Sequence, residues 1–201
     1  MPGTFYITTP LYYVNAPPHL GGMYTTIVAD TISRYKRMMG FDVKLLCGTD
    51  EHGQKIERSA KTQGISPKAL ADRVYTQYSD LWKAIGIEYD EFIRTTEPRH
   101  YKAVAEMYTR AKANGYVYKG SYSGWYCVSC EAYASESDPD TPVACADCGR
   151  KTEWFSEESY FFRLSAFQDR LLELYEKKPH FIRPESRRNE IASFVRGGLK
   201  D

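Results

Sequence analysis

The chain has 201 residues, enough for one domain with a real core or for two small ones, and 27 Lys plus Arg against 26 Asp plus Glu leave a formal net charge of +1. That balance argues against a nucleic-acid binder driven by overall charge, although a local basic face escapes the sum. No apolar run approaches membrane-spanning length and no charged-then-apolar signal segment opens the chain, which points to the cytosol, where thiols stay reduced.

Thr4 to Thr8 is short, β-branched and aromatic, and reads as a strand. Pro10, Pro17 and Pro18 restrict their own φ and their predecessors, so residues 10–18 form a loop of fixed shape. A helix follows from about Met23 to Met39, with Ile27, Val28, Ile32, Tyr35 and Met39 at three- and four-residue spacing and Gly40 as its stop. Asp42 to Cys47 is a second strand, apolar enough at its end to be buried in a parallel sheet. It runs straight into Gly48-Thr49-Asp50-Glu51-His52-Gly53. Strand, helix, strand in this order is the right-handed β-α-β unit, which makes the two strands parallel neighbours. Both polar loops then leave the carboxyl ends of their strands, where ligands of open α/β sheets bind. His19 and Asp50 are therefore expected at one crevice.

Ser66 is an N-cap followed by Pro67, and Leu70, Val74, Tyr78, Leu81 and Ile85 form one stripe ending at Gly86. A further helix is expected from Pro98 to Asn114, closed by Gly115. The character of the sequence changes there, and a domain boundary at Asn114–Gly115 divides the chain into 1–114 and 115–201. Tyr116 to Tyr126 reads as short strands broken by Gly120 and Gly124, and Trp154 to Leu164 as another strand. Ser165 to Lys177 reads as a helix stopped by Pro179, and Glu185 to Arg196 as a last helix before Gly197-Gly198.

Three groups of residues carry chemistry. Cys127-Val128-Ser129-Cys130 and Cys145-Ala146-Asp147-Cys148 are separated by fourteen residues. Four thiolates on two tight turns satisfy a tetrahedral zinc with no open position, so the site would be structural; the alternatives are four free thiols or two disulfides. The fifth cysteine, Cys47, ends a buried strand and reads as core. The second group is His19-x-Gly21-Gly22 at the start of a helix, where unpaired backbone donors and partial positive charge suit phosphate. The third is Asp50, which either caps the next helix or binds an ammonium or a ribose hydroxyl in the crevice. Tyr12 and Tyr13 are packing residues, or one of them lines a pocket. The runs Arg34 to Arg37 and Arg183 to Arg188 read as solvated helix faces.

Pro10-Leu11-Tyr12-Tyr13-Val14-Asn15, then Pro18-His19-Leu20-Gly21, then Gly48-Thr49-Asp50-Glu51-His52-Gly53, closely resemble the methionyl-tRNA synthetases. The resemblance continues through the cysteine knuckle and Arg183-Pro184-Glu185-Ser186-Arg187-Arg188-Asn189-Glu190, and so covers essentially the whole chain. It implies an α/β fold: the first half of a Rossmann-type parallel sheet followed by a small zinc-binding connective insertion. It implies that His19, Gly21 and Gly22 face the phosphates of ATP, which enters with Mg2+, that Asp50 holds the ammonium of methionine, and that Leu11 and Tyr13 line the amino-acid pocket. The reaction implied is formation of methionyl-adenylate and pyrophosphate, then transfer to tRNA(Met). The rival readings are a non-catalytic zinc-knuckle module and another class I synthetase. Two departures stand out. The family's fourth signature position is commonly His and is Gly22 here; a lost transition-state donor of this kind costs on the order of 3 kcal/mol. The family's Lys-Met-Ser-Lys-Ser loop is absent, so the chain reads as an N-terminal piece.

Overall fold

In the computed structural model, which describes residues 3–134 and 138–201, the chain divides into two units, Met1–Ala103 and Val104–Asp201. The first begins with β1 (Thr4–Thr8), the two-residue β2 (Tyr12–Tyr13), α1 (Leu20–Met38) and β3 (Asp42–Asp50). α2 (Gln54–Thr62), α3 (Pro67–Ala84) and β4 (Glu91–Arg94) follow, and α4 (Pro98–Ala113) runs on through the division. β3 is the hub of the sheet and pairs in parallel with β1, β2 and β4. Leu45 and Cys47 on β3 are fully buried and meet Val14, Ile56, Leu70, Val74, Tyr78 and Trp82 in one core. Burial pushes the Cys47 thiol up to about 11, as suits an inert core residue.

The β-α-β unit is parallel as expected, but α1 begins at Leu20 rather than Met23, and β3 runs on past Cys47 to Asp50 because β2 and β4 pair with its end. The first strand and the Ser66-capped helix lie where the sequence places them, and Ser66 Oγ accepts from Ala69 N–H at 3.1 Å. Ser66→Ala should cost about 1 kcal/mol, the usual loss for an N-cap, and lower the thermal midpoint of the chain by a few degrees; an unchanged midpoint would remove the cap from the stability of α3.

α1 differs from its pattern in an informative way. The apolar stripe faces solvent, with Ile32 38% and Tyr35 58% exposed, while Gly22, Thr26, Ala29, Asp30 and Ser33 form the buried face. Small residues let the helix lie close against the sheet, and the buried polar groups are all satisfied. Ser33 Oγ donates to Ala29 C=O, while Asp30 accepts from Glu88 N–H and Arg34 Nε. The Arg34–Arg37 run is likewise no idle solvated face. Arg34 pairs with Asp30 and Glu88, Arg37 with Asp90, and Lys36 lies over the rings of Phe5 and Phe41.

The second unit holds the antiparallel β5 (Val117–Cys127), β6 (Ala132–Tyr133) and β7 (Glu153–Phe162), then a 3₁₀ turn (Leu164–Phe167), α5 (Gln168–Lys177) and α6 (Glu185–Arg196). β5 is one continuous strand, not short pieces broken by glycine. It pairs with β7 from Val117↔Phe162 to Tyr126↔Glu153, and this ladder overrides the weak local preference at Gly120 and Gly124. The glycines make room for aromatic rings instead: a Cβ at 120 would lie 3.0 Å from the Phe161 ring, and one at 124 would lie 3.2 Å from the ring of Tyr133. Among the described residues no helix is long and apolar enough to cross a membrane.

Candidate active site and metal centre

The prolines hold the segment after β1 extended, and it pairs with the carboxyl end of β3, Tyr12 opposite Thr49 and Tyr13 opposite Asp50. Successive strand residues face opposite ways, and the two tyrosines divide accordingly. Tyr12 turns into the core, stacked on Tyr78 with ring centroids 5.1 Å apart. Its hydroxyl donates to Gly22 C=O at 3.1 Å and, with that proton committed, accepts from Thr26 Oγ1 at 2.7 Å. Tyr13 is 38% exposed, with Lys55 Nζ 4.8 Å from its ring centroid. One dipeptide thus ties the first turn of α1 to the end of β3. Tyr12→Phe should cost about 1–2 kcal/mol, because Thr26 and Gly22 lose a buried partner; urea unfolding reads this directly, and a neutral substitution would show that the tie does not hold the helix.

His19 is the N-cap of α1, and its Nδ1 accepts from Gly21 N–H at 3.1 Å. Glycine at 21 is a consequence of that bond, since a Cβ there would lie 2.9 Å from His19 Cε1. The other early N–H groups of the helix have no intrahelical partner, so the terminus keeps its donors and partial positive charge. At the end of β3 the chain passes Gly48, where a Cβ would sit 2.4 Å from Ile93 C=O and 2.7 Å from Leu11 Cδ2. No side chain fits, and the close approach brings Leu11 against the strand that carries Asp50. Leu11, Tyr13 and Asp50 are therefore gathered at the carboxyl end of β3, and His19, Gly21 and Gly22 are joined to them through Tyr12.

Two residues beside Asp50 do more than their sequence positions reveal. The Glu51 side chain is fully buried and accepts from Thr49 Oγ1 at 2.8 Å, from Arg94 Nε at 2.6 Å and from Thr96 Oγ1. His52 Nε2 lies 3.3 Å from Thr95 C=O. Glu51 and His52 also line a cleft of about 510 Å³ with Lys68, Arg94, Glu97 and Tyr101. Its cations and carboxylates are paired: Arg94 with Glu51 and Asp72, Lys68 with Asp72, and Glu97 with Arg99.

In the second unit the four cysteines converge. The Sγ atoms of Cys127, Cys130, Cys145 and Cys148 all lie within 4.8 Å of one another. All are free thiols, with Cys127 and Cys148 separated by 3.7 Å between sulfurs, too far for a disulfide. A tetrahedral ion with metal–sulfur bonds of about 2.3 Å has sulfur–sulfur edges of about 3.8 Å, so the donor set fits. Two copies of one turn build it. Glu131 N–H donates to Cys127 C=O at 2.7 Å and Gly149 N–H to Cys145 C=O at 2.8 Å, with Glu131 at φ 55° and Gly149 at φ 69° closing the two turns. The neighbouring thiols, Cys148 first, push Cys130 up to about 12, and a cation at the centre would reverse that preference.

A family model described as tRNA synthetases class I (M) matches residues 5–151 and 138–201. The chain belongs to the class I methionyl-tRNA synthetase family. The methionine–tRNA ligase of Caldanaerobacter subterraneus subsp. tengcongensis is 50% identical over 201 residues, all of this chain but 31% of the relative. Those of Thermotoga maritima (50% over 98% of this chain, 32% of the relative) and Rickettsia conorii (51% over 100%, 39% of the relative) are as similar. The chain therefore spans between about a third and two fifths of the length of these curated relatives. The structure of Mycobacterium tuberculosis methionyl-tRNA synthetase in complex with methionyl-adenylate superposes with a TM-score of 0.92 at 43% identity, covering 100% of this chain and 40% of that one. The free-state structure of that enzyme gives 0.76 at 41% identity, covering 100% and 38%.

The departure at Gly22 has a local setting. The residue is buried, and a Cβ there would lie 3.3 Å from Tyr12 Cε1, so a side chain at 22 would need the ring that anchors α1 to give by a few tenths of an ångström. The signal for Arg94 was the four-residue strand Glu91–Arg94, with Phe92-Ile93 between Gly86 and Pro98; it was too short to stand out by periodicity.

Proposed function

We propose that this chain is the N-terminal part of a methionine–tRNA ligase that activates methionine with ATP, as Mg2+–ATP, and passes the methionyl group to tRNA(Met) in the cytoplasm. The observation that carries the reading is the joining of two features at the carboxyl ends of parallel strands. One is a His19-capped helix terminus with open donors, and the other is the β3 end bearing Asp50. The likeness to an enzyme solved with methionyl-adenylate supports it. The methionine carboxylate attacks the α-phosphorus of ATP, a new O–P bond forms, and the bond to pyrophosphate breaks. Such a reaction needs positioning and charge neutralisation more than covalent help from the protein.

In this reading His19, Gly21 and Gly22 face the phosphates, Asp50 receives the ammonium, and Leu11 and Tyr13 wall the side chain. Mg2+ would share the phosphate charge. Residues 1–114 form the first half of the catalytic domain, and 115–201 belong to a connective insertion built around structural Zn2+ on Cys127, Cys130, Cys145 and Cys148. The 3.7 Å sulfur separation and the four-thiolate set support zinc.

ATP–pyrophosphate exchange tests the function. The natural polypeptide carrying residues 1–201 should exchange with methionine and not with isoleucine, valine or cysteine, while residues 1–201 alone should give none. Exchange with another of these amino acids would reassign the substrate, and none with any would favour a binding module.

A further inference from the structure

The side chains on either side of Asp50 are locked, while the Asp50 carboxylate is not. β3 and β4 pair Thr49 with Arg94. Thr49 Oγ1 donates to Glu51, Glu51 N–H donates to Thr95 Oγ1 at 2.9 Å, and Thr95 N–H donates to Thr49 C=O at 3.3 Å. Among the described residues the half-buried Asp50 carboxylate accepts only a long 3.5 Å contact from His52 N–H. The side chains of Thr49 and Glu51, two residues apart, meet each other across Asp50.

The lock closes on Arg94. Its Nε holds the buried Glu51, its Nη2 reaches Asp72 on α3 at 2.7 Å, and its guanidinium lies 4.7 Å from the Tyr75 ring centroid. We propose that Arg94 is a positioning residue, which through Glu51 fixes the backbone around Asp50 so that its carboxylate meets the substrate ammonium in one orientation. This rests on the reading that Asp50 binds that ammonium. The carboxylate is left available by the same network that immobilises its neighbours, which is how a charged binding group is preorganised on a rigid element. A lysine at 94 keeps the charge but cannot fork between Glu51 and Asp72.

The test uses the natural polypeptide containing this chain, with methionine and ATP titrated separately in pyrophosphate exchange and the folded fraction followed by thermal unfolding. Arg94→Lys should raise the methionine KM about tenfold with the ATP KM within about twofold, since a small misplacement of a binding group is costly. Glu51→Gln should move the methionine KM in the same direction. A drop in active fraction with an unchanged methionine KM would show a purely structural ion pair and overturn the proposal. If Arg94→Lys fails to fold, Asp72→Asn, on a carboxylate 44% exposed, loosens Arg94 from outside and must still raise the methionine KM at least about twofold; no change there overturns it too. Asp50→Ala separates the two levels. If it leaves the methionine KM unchanged, the ammonium assignment fails and the positioning role with it. If it raises that KM while Arg94→Lys does not, the positioning role alone fails.

Discussion

Cys145→Ser is expected to abolish stoichiometric metal binding and to loosen the segment between β5 and β7 while leaving the ladder between those strands in place. Cys145 is 7% exposed and lies in the cluster whose sulfurs are all within 4.8 Å of one another. A hydroxyl at that point is a far weaker ligand than a thiolate, and three sulfurs no longer close a tetrahedral site. Apparent binding energies of structural zinc are on the order of 10 kcal/mol, and such binding energy is folding energy for the segment that makes the site. Among the described residues that segment is held by the short β5–β6 pairing and a few polar bonds rather than by a core of its own. Between Cys127 and Lys151 the described buried apolar residues are the two cysteines themselves. The ladder from Val117↔Phe162 to Tyr126↔Glu153 and the α5–α6 cluster of Tyr175, Ala192 and Val195 do not use the metal. Metal content per chain and sites of limited proteolysis check this, with new cleavage expected between residues 128 and 152. Cys47→Ser is the control: it buries a hydroxyl in the core at a cost of about 1–3 kcal/mol, yet should retain the full metal content. Loss of metal from Cys47→Ser, or full retention by Cys145→Ser, would break the assignment of ligands.

The elements with a strong local signature were legible before any coordinates. α6 occupies Glu185–Arg196 as its pattern indicates, and α3 begins at the Ser66-Pro67 cap. The four-cysteine cluster was legible because ligand spacing is a covalent constraint, indifferent to what packs around it. What escaped has one cause: it is decided by tertiary partners. β4 is four residues long and becomes a strand because β3 offers it an edge. α2 has Gly53 as an N-cap with no side-chain bond, so no capping residue announces it. The buried face of α1 is not announced by its apolar stripe, because that face is built from small and hydroxylated residues that periodicity of hydrophobicity passes over. At the site, Asp50 and His19 stand out by residue type and by topology. Arg94, 43 residues from Glu51 in sequence, carries no local mark of its role.

Asp50→Asn is expected to raise the methionine KM by about 10- to 150-fold, the equivalent of a charge-assisted hydrogen bond of about 1.5–3 kcal/mol, with the ATP KM little changed. Asparagine keeps the volume and one acceptor oxygen, so it isolates the charge. The backbone should not respond. Thr49, Glu51 and Thr95 bond one another without using the Asp50 carboxylate, and Asp50 pairs with Tyr13 in the β2–β3 ladder. Stability should therefore stay near that of the parent, unlike a change at Gly48, where a Cβ would meet Ile93 C=O at 2.4 Å. The ammonium is present in the ground state and is not the reacting group, so the lost interaction belongs equally to substrate and transition state, and kcat should fall little. Methionine titrations in pyrophosphate exchange by the natural polypeptide decide the matter. A raised KM with preserved kcat places the carboxylate on the ammonium. A large fall in kcat at unchanged KM would instead mean that Asp50 acts on the phosphate side of the reaction, and the division of the site between β3 and the α1 terminus would have to be redrawn.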